Sequence, residues 1–108
     1  MPQDLQAPKG RLILPQVQTM RELLDKRCSV MSCTADCLEA TLEALRIPPK
    51  LIITDSQVFP SVWKAKPAES LLTSFSILFA RYKGELETMI AGVAALNKIR
   101  TGDKILIC

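Results

Sequence analysis

The chain has 108 residues, which is the size of one domain with a single hydrophobic core. Apolar residues make up 48% and charged residues 23% of it, proportions that are typical of a globular protein. The formal charge of +3 is small and the lysines and arginines are scattered among acids, so no basic stripe indicates nucleic-acid binding.

No stretch has the properties of a membrane span or of an export signal. No apolar run approaches the roughly 18 residues that a spanning helix needs. The opening residues, MPQDLQAPKG, are polar, unlike a signal peptide. We therefore expect a soluble, cytoplasmic domain that has neither a nucleic-acid nor a membrane partner.

The first third of the chain predicts an irregular segment, a helix and a strand. Residues 1–10 contain two prolines and a glycine, which indicates an irregular lead-in. Pro15 suits the first turn of a helix. The apolar residues that recur there at helical spacing are Val17, Met20 and Leu24. The short apolar run at 28–33 predicts a buried strand.

A second helix and a second strand follow. Thr34 is placed to cap the helix, and the apolar residues that share one of its faces are Leu38, Leu42 and Leu45. Pro48 and Pro49 end it. The run LIITD at 51–55 is apolar without alternation, as expected for a strand of a parallel sheet that is covered on both faces. A turn or a short helix through Trp63 is predicted after it.

Residues 71–86, LLTSFSILFARYKGEL, contain three of the chain's five aromatic residues. Leu71 and Leu72 predict a short strand, and Thr73 or Ser74 then caps a helix that Gly84 ends. One narrow face of this helix, predicted to face the core, consists of Phe75, Leu78, Phe79 and Tyr82. Ile77 lies on the opposite side, close to Arg81, without an obvious partner inside the chain.

The last quarter predicts a helix over 85–99, a turn, and a final strand at 105–108. The inner side predicted for this helix consists of Leu86, Met89, Ile90, Val93 and Leu96. The alternation of helices and strands predicts an α/β fold, with a small, mostly parallel sheet of about four strands and helices on both faces. Because the chain stops inside an apolar strand, we expect one domain, residues 1–108, cut from a longer protein.

No reactive constellation is recognisable, so no catalytic, cofactor-binding or metal-binding residue is predicted. The chain has no histidine, which excludes Ser-His and Cys-His pairs, and it lacks both glycine-rich phosphate-binding motifs. Its cysteines do not have the spacing of a paired zinc site and are interpreted as small buried hydrophobes: Cys28, Cys33, Cys37 and Cys108. A thiol-based metal or redox site at Cys33 and Cys37 is a further alternative.

Two hypotheses about function arise from the residues. Open α/β sheets bind ligands beyond the carboxyl ends of their strands, so Asp55 and Ser56 could line a crevice for a small ligand or nucleotide. The alternative is that they cap the segment that follows, which is the commoner role of such residues. The other hypothesis is self-association with two-fold symmetry through an open sheet edge and stray apolar side chains. The interface predicted for it comprises Leu72, Phe75, Ile77, Phe79 and Arg81.

Two long motifs carry a resemblance to a known family. They are APKGRLILPQVQ at 7–18, and LIITDSQVF followed by LTSFSILFARYKGEL within 51–86. Together they resemble the middle, dimerisation domain of the GTPase family that matures FeFe-hydrogenase, a scaffold for assembling the iron precursor of the H-cluster. The ending TGDKILIC is similar to that family as well.

The resemblance implies that this region is one of several domains of a longer protein, and that the domains have different functions. An amino-terminal GTPase domain would precede this region, and an iron–sulfur cluster domain with cysteine and histidine ligands would follow it. GTP and the cluster are therefore implied only for the flanking domains, and this fragment is expected to be no enzyme. The implied partners are a second copy of the chain, the flanking domains, other maturation proteins and the hydrogenase.

Overall fold

The computed structural model of the chain describes residues 1–4 and 12–104. Its strands are β1 (Pro2–Gln3), β2 (Cys33–Thr34), β3 (Leu51–Thr54) and β4 (Leu71–Ser74). Its helices are α1 (Leu14–Asp25), α2 (Leu38–Glu43), α3 (Phe59–Ala65), α4 (Phe75–Lys83) and α5 (Leu86–Leu96). The strand predicted at 105–108 lies outside the described residues. Within the described part, no helix is long and apolar enough to cross a membrane.

The strands form two parallel ladders, which confirms the predicted α/β class. In the first ladder β1 pairs with β2, and in the second β3 pairs with β4, with Leu51 opposite Leu71. The ladders adjoin because β1 also contacts β3, and Thr54 Oγ1 donates a hydrogen bond to the carbonyl oxygen of Pro2 at 3.0 Å. The described strands therefore make two small sheets instead of one continuous sheet.

Two predictions for the first third of the chain are wrong in detail. The lead-in at 1–10 contains strand β1, so it is not irregular throughout. The strand predicted at 28–33 is reduced to the pair Cys33–Thr34, and Met31 is 49% exposed. The physical reason is that β1 is only two residues long and offers β2 no longer partner.

Strand β3 lies in the core and is covered on both faces, as its unalternating sequence predicted. Ile52 and Ile53 are each 3% exposed, although successive strand side chains point to opposite faces. On one face Ile52 packs with Leu38 of α2 and Val62 of α3. The burial of Ile52 and Ile53 on opposite faces is typical of a parallel ladder that is covered on both sides.

Helix α1 begins as predicted, with Pro15 in its first turn, but a polar side of it is buried. Gln16 is 0% and Thr19 is 7% exposed, whereas Val17 and Leu24 are each 45% exposed. The buried side of α1 is the side on which the Gln16 side chain makes its hydrogen bonds. The spacing of apolar residues carries no information about these hydrogen bonds.

Helix α4 starts at the predicted cap but does not bury its whole aromatic stripe. Ser74 Oγ accepts a hydrogen bond from the backbone N–H of Ile77 at 3.2 Å. Phe75 is 4% exposed, whereas Tyr82 is 85% exposed. The Tyr82 ring contacts the Phe79 ring, with centroids 6.5 Å apart. The tyrosine nevertheless lies at the surface, where its hydroxyl can be hydrated.

Helix α5 forms as predicted, but the described residues leave most of its predicted inner side uncovered. Leu86 is half-buried, and the other members of that side are exposed: Met89 40%, Ile90 59%, Val93 64% and Leu96 60%. No residue of α5 is buried. The radius of gyration is 16.4 Å, compared with about 13 Å for a compact domain of this length. The periodicity of apolar residues predicts which of them share a helix face. It does not predict whether another part of the chain packs against that face.

The two predicted caps provide a matched test of local structure. Thr34 occupies the N-cap position of a short 3-10 turn, Ala35–Cys37, but its side chain makes no capping bond. We therefore expect Ser74→Ala to lower the free energy of unfolding by about 1 kcal/mol and Thr34→Ala to change it by less than about 0.5 kcal/mol. Urea denaturation measures both, and equal effects would contradict the capping role of Ser74.

Candidate functional site

Asp55 forms a junction of three segments directly after β3. Its carboxylate oxygen Oδ2 accepts a hydrogen bond from the backbone N–H of Asp4 at 2.8 Å. The same oxygen accepts a second hydrogen bond from Gln16 Nε2 at 3.1 Å. The end of β1, the start of α1 and the end of β3 are thus joined through one carboxylate, which we call the Asp55 junction.

The buried amide of Gln16 completes this junction. Its Nε2 donates to Asp55, and its Oε1 accepts a hydrogen bond from the backbone N–H of Ile13 at 3.1 Å. Because Gln16 is 0% exposed, water cannot replace these partners. Asp55 occupies the N-cap position of the 3-10 turn Ser56–Val58, yet its side chain makes no capping bond there. The contacts of Asp55 favour a structural role.

Ser56, the other residue of the predicted crevice, faces the surface. Its Oγ lies 2.8 Å from Ser76 Oγ, and both side chains are exposed. This pair of hydroxyls connects the turn after β3 with the first turn of α4. The structure therefore places a carboxylate that is occupied by two donors of the chain, and an exposed pair of hydroxyls, at the carboxyl ends of the ladder.

The cysteines divide into one interior and two surface residues. Cys33 is half-buried and packs against the core, as expected for a small hydrophobe. Cys28 and Cys37 are exposed, which contradicts that interpretation for them. Cys108 lies outside the described residues. In the part of the chain that the structure describes, no group of three or more histidine, cysteine or acidic side chains could hold a metal ion.

The residues of the predicted self-association interface occupy different environments. Leu72 packs against the core cluster, Phe75 is buried, and Phe79 is half-buried. Ile77 is 49% exposed and Arg81 is also exposed. Ile77 and Arg81 are therefore at the surface of a single chain, whereas Leu72 and Phe75 attach β4 and α4 to the rest of the domain.

Strand β4, which precedes α4, has an outer edge and an exposed apolar residue of its own. Among residues 1–4 and 12–104, β4 pairs only with β3, so one side of β4 has no strand beside it. Leu71, the first residue of β4, is 70% exposed. We call this outer edge of β4, together with Leu71, Ile77 and Arg81, the β4–α4 surface. An exposed edge of this kind is a template for pairing with another chain.

A cleft of about 570 Å³ lies on another part of the domain. Five stretches of the chain line it, and its lining includes Met1, Leu23, Met31, Leu42, Ile47 and Lys50. The amino group of Met1 donates a hydrogen bond to the carbonyl oxygen of Met31, and burial lowers the pKa of that amino group. Sequence reasoning missed this cleft because its walls are distant in the chain and carry no motif.

Comparison with known proteins identifies one family. The family model described as "Hydrogen maturase F dimerization domain" matches residues 1–84. The match runs from β1 to the end of α4 and leaves α5 outside it. No curated protein gives a significant match.

Proposed function

The chain belongs to the family of hydrogen maturase F dimerization domains, and from this premise we propose that it pairs two copies of a larger hydrogenase-maturation GTPase. The family match over residues 1–84 is the observation that carries the proposal. Pairing through this domain would hold two GTPase domains and two cluster-binding domains at a fixed spacing. The role is that of a scaffold.

The β4–α4 surface is the contact that we propose for this pairing. It combines a strand edge that no described strand pairs with and two exposed apolar side chains, Leu71 at 70% and Ile77 at 49%. A two-fold arrangement would place the same patch of both copies together and satisfy both edges at once. Leu72, Phe75 and Phe79 support this surface from behind, in agreement with their burial.

Catalysis and cofactor binding belong, in this proposal, to the flanking domains. Residues 1–108 act as one dimerisation domain in the cytoplasm. GTP and the iron–sulfur cluster are bound elsewhere in the parent protein. Other maturation proteins and the hydrogenase itself are the further partners that such a scaffold would serve.

We expect Ile77→Lys to weaken self-association without unfolding the domain. Ile77 is 49% exposed in the single chain, so lysine is tolerated there, whereas a charge buried at an interface is costly. An effect typical of an interface hot spot, about 2 kcal/mol, raises the Kd for self-association roughly 30-fold. Sedimentation velocity over a range of protein concentrations measures it.

Tyr82→Lys is the matched control, because it places the same charge on the same helix. Tyr82 is 85% exposed and lies about 140° around the helix from Ile77. Its substitution is expected to leave the Kd within about twofold of the original value, as surface changes usually do. Self-association that is unaffected by Ile77→Lys would exclude the β4–α4 surface, and a chain that is monomeric at all concentrations would contradict the proposed function.

A further inference from the structure

The side chain of Lys66 binds the backbone of the loop that leads from α3 to β4. Its ammonium group donates hydrogen bonds to the carbonyl oxygens of Pro67 at 3.0 Å, Ala68 at 3.4 Å and Ser70 at 2.8 Å. An ammonium group has three donors, so each of them has a carbonyl acceptor here. Lys66 is half-buried, and its Nζ also lies 5.3 Å from the centre of the Trp63 ring. We call Lys66 together with these three carbonyl groups the Lys66 clamp.

The clamp acts at the point where β4 begins. Ser70, the last residue of the loop, is 2% exposed, and its hydroxyl donates a hydrogen bond to the carbonyl oxygen of Pro49 at 2.6 Å. The next residue, Leu71, donates its backbone N–H to the carbonyl oxygen of Lys50 at 3.0 Å. The end of the loop is therefore held by the residues that precede β3 on one side and by Lys66 on the other. Leu71, which belongs to the β4–α4 surface, follows it directly.

A positive charge is what allows the three carbonyl groups to point at one spot. Their oxygen atoms carry partial negative charges, which repel one another unless a cation or a donor lies between them. A neutral side chain at position 66 would leave these oxygens to water, which hydrates them equally well when they point apart. Without the ammonium group we therefore expect the loop at 67–70 to open locally.

We propose that Lys66 is a positioning residue for self-association, because it holds the amino end of the β4 edge in the conformation that a second copy meets. This inference rests on the proposed function, since it takes the β4–α4 surface as the contact. A loop that is already ordered in the single chain loses less conformational freedom on pairing, and this raises the affinity. The clamp lies within residues 1–84, the part of the chain that matches the dimerization family.

Amide hydrogen exchange of the single chain tests the clamp. Lys66→Met removes the ammonium group and keeps most of the side chain, and mass spectrometry follows exchange at concentrations where the chain is monomeric. We expect the Ser70 and Leu71 amides to exchange about tenfold faster, and the hydrogen-bonded amides of β3 to stay within about twofold. Lys64→Met is the matched control. Lys64 is exposed on the same helix and has no hydrogen bond or ion pair among the described residues.

The Kd for self-association distinguishes a positioning role from a merely structural one. Sedimentation velocity should show a Kd raised about fivefold or more by Lys66→Met, and by less than about twofold by Lys64→Met. An unchanged Kd for Lys66→Met, while Ile77→Lys still raises it, would overturn the inference and leave the proposed dimer standing. Equal increases for the two lysine variants would assign the effect to net charge and overturn it as well.

The exchange result is decisive in the same way. Unchanged exchange at Ser70 in Lys66→Met, or unfolding of the whole chain, would show that Lys66 does not hold the loop locally, and the inference would be wrong. A chain that is monomeric at every concentration removes the proposed function and this inference with it, even where exchange shows the clamp.

Discussion

Replacing Phe75 with alanine is expected to lower the free energy of unfolding by about 3–5 kcal/mol. Phe75 is 4% exposed and begins α4 directly after β4, so the substitution leaves a cavity where the helix joins the ladder. Small domains unfold with a total of about 5–15 kcal/mol. The loss is therefore a large part of the stability, and urea denaturation followed by circular dichroism measures it.

Tyr82→Ala is the control that makes this result specific. It removes an aromatic ring from the same helix at a position that is 85% exposed. We expect a change below about 0.5 kcal/mol, because surface side chains contribute little to stability. Similar losses for the two substitutions would show that α4 is not anchored through Phe75. The comparison of Phe75→Ala with Tyr82→Ala also separates folding from self-association. The loss of unfolding free energy in Phe75→Ala is expected even at concentrations where the chain is monomeric.

Replacing Asp55 with alanine is expected to cost about 2–4 kcal/mol of stability, the second largest effect. The substitution removes the acceptor of two hydrogen bonds, one from Asp4 N–H and one from the amide of Gln16. Gln16 is 0% exposed, so its amide loses a partner that water cannot replace. Asp55→Asn keeps the shape and one acceptor oxygen, and it should cost less than the alanine variant. Thermal and urea unfolding measure the series.

Ser56→Ala provides the neighbouring control for the Asp55 junction. The Ser56 hydroxyl is exposed, and its loss should change the free energy of unfolding by less than about 0.5 kcal/mol. The same variants test the ligand-crevice hypothesis, because a ligand that binds the native state raises the melting temperature. A nucleotide-induced shift that Asp55→Asn abolishes, together with unchanged stability, would contradict the structural role and favour binding.

Local signals in the sequence predicted several elements correctly. The unalternating run at 51–54 is a strand buried on both faces, Ser74 caps α4, and α5 forms where the spacing indicated. Each of these depends on residues that are neighbours in the chain. The Asp55 junction was not predictable in this way, because Asp4, Gln16 and Asp55 come from distant segments.

By itself the sequence determined the α/β class, most element positions and the family, because periodicity, caps and long motifs are properties of consecutive residues. Only the tertiary structure decided which faces are covered. It buried Gln16 and Phe75, exposed Tyr82 and the apolar side of α5, and assembled the apolar cleft from distant segments. The physical reason is that burial depends on the surface that lies opposite a residue, and that surface is set by how the whole chain packs.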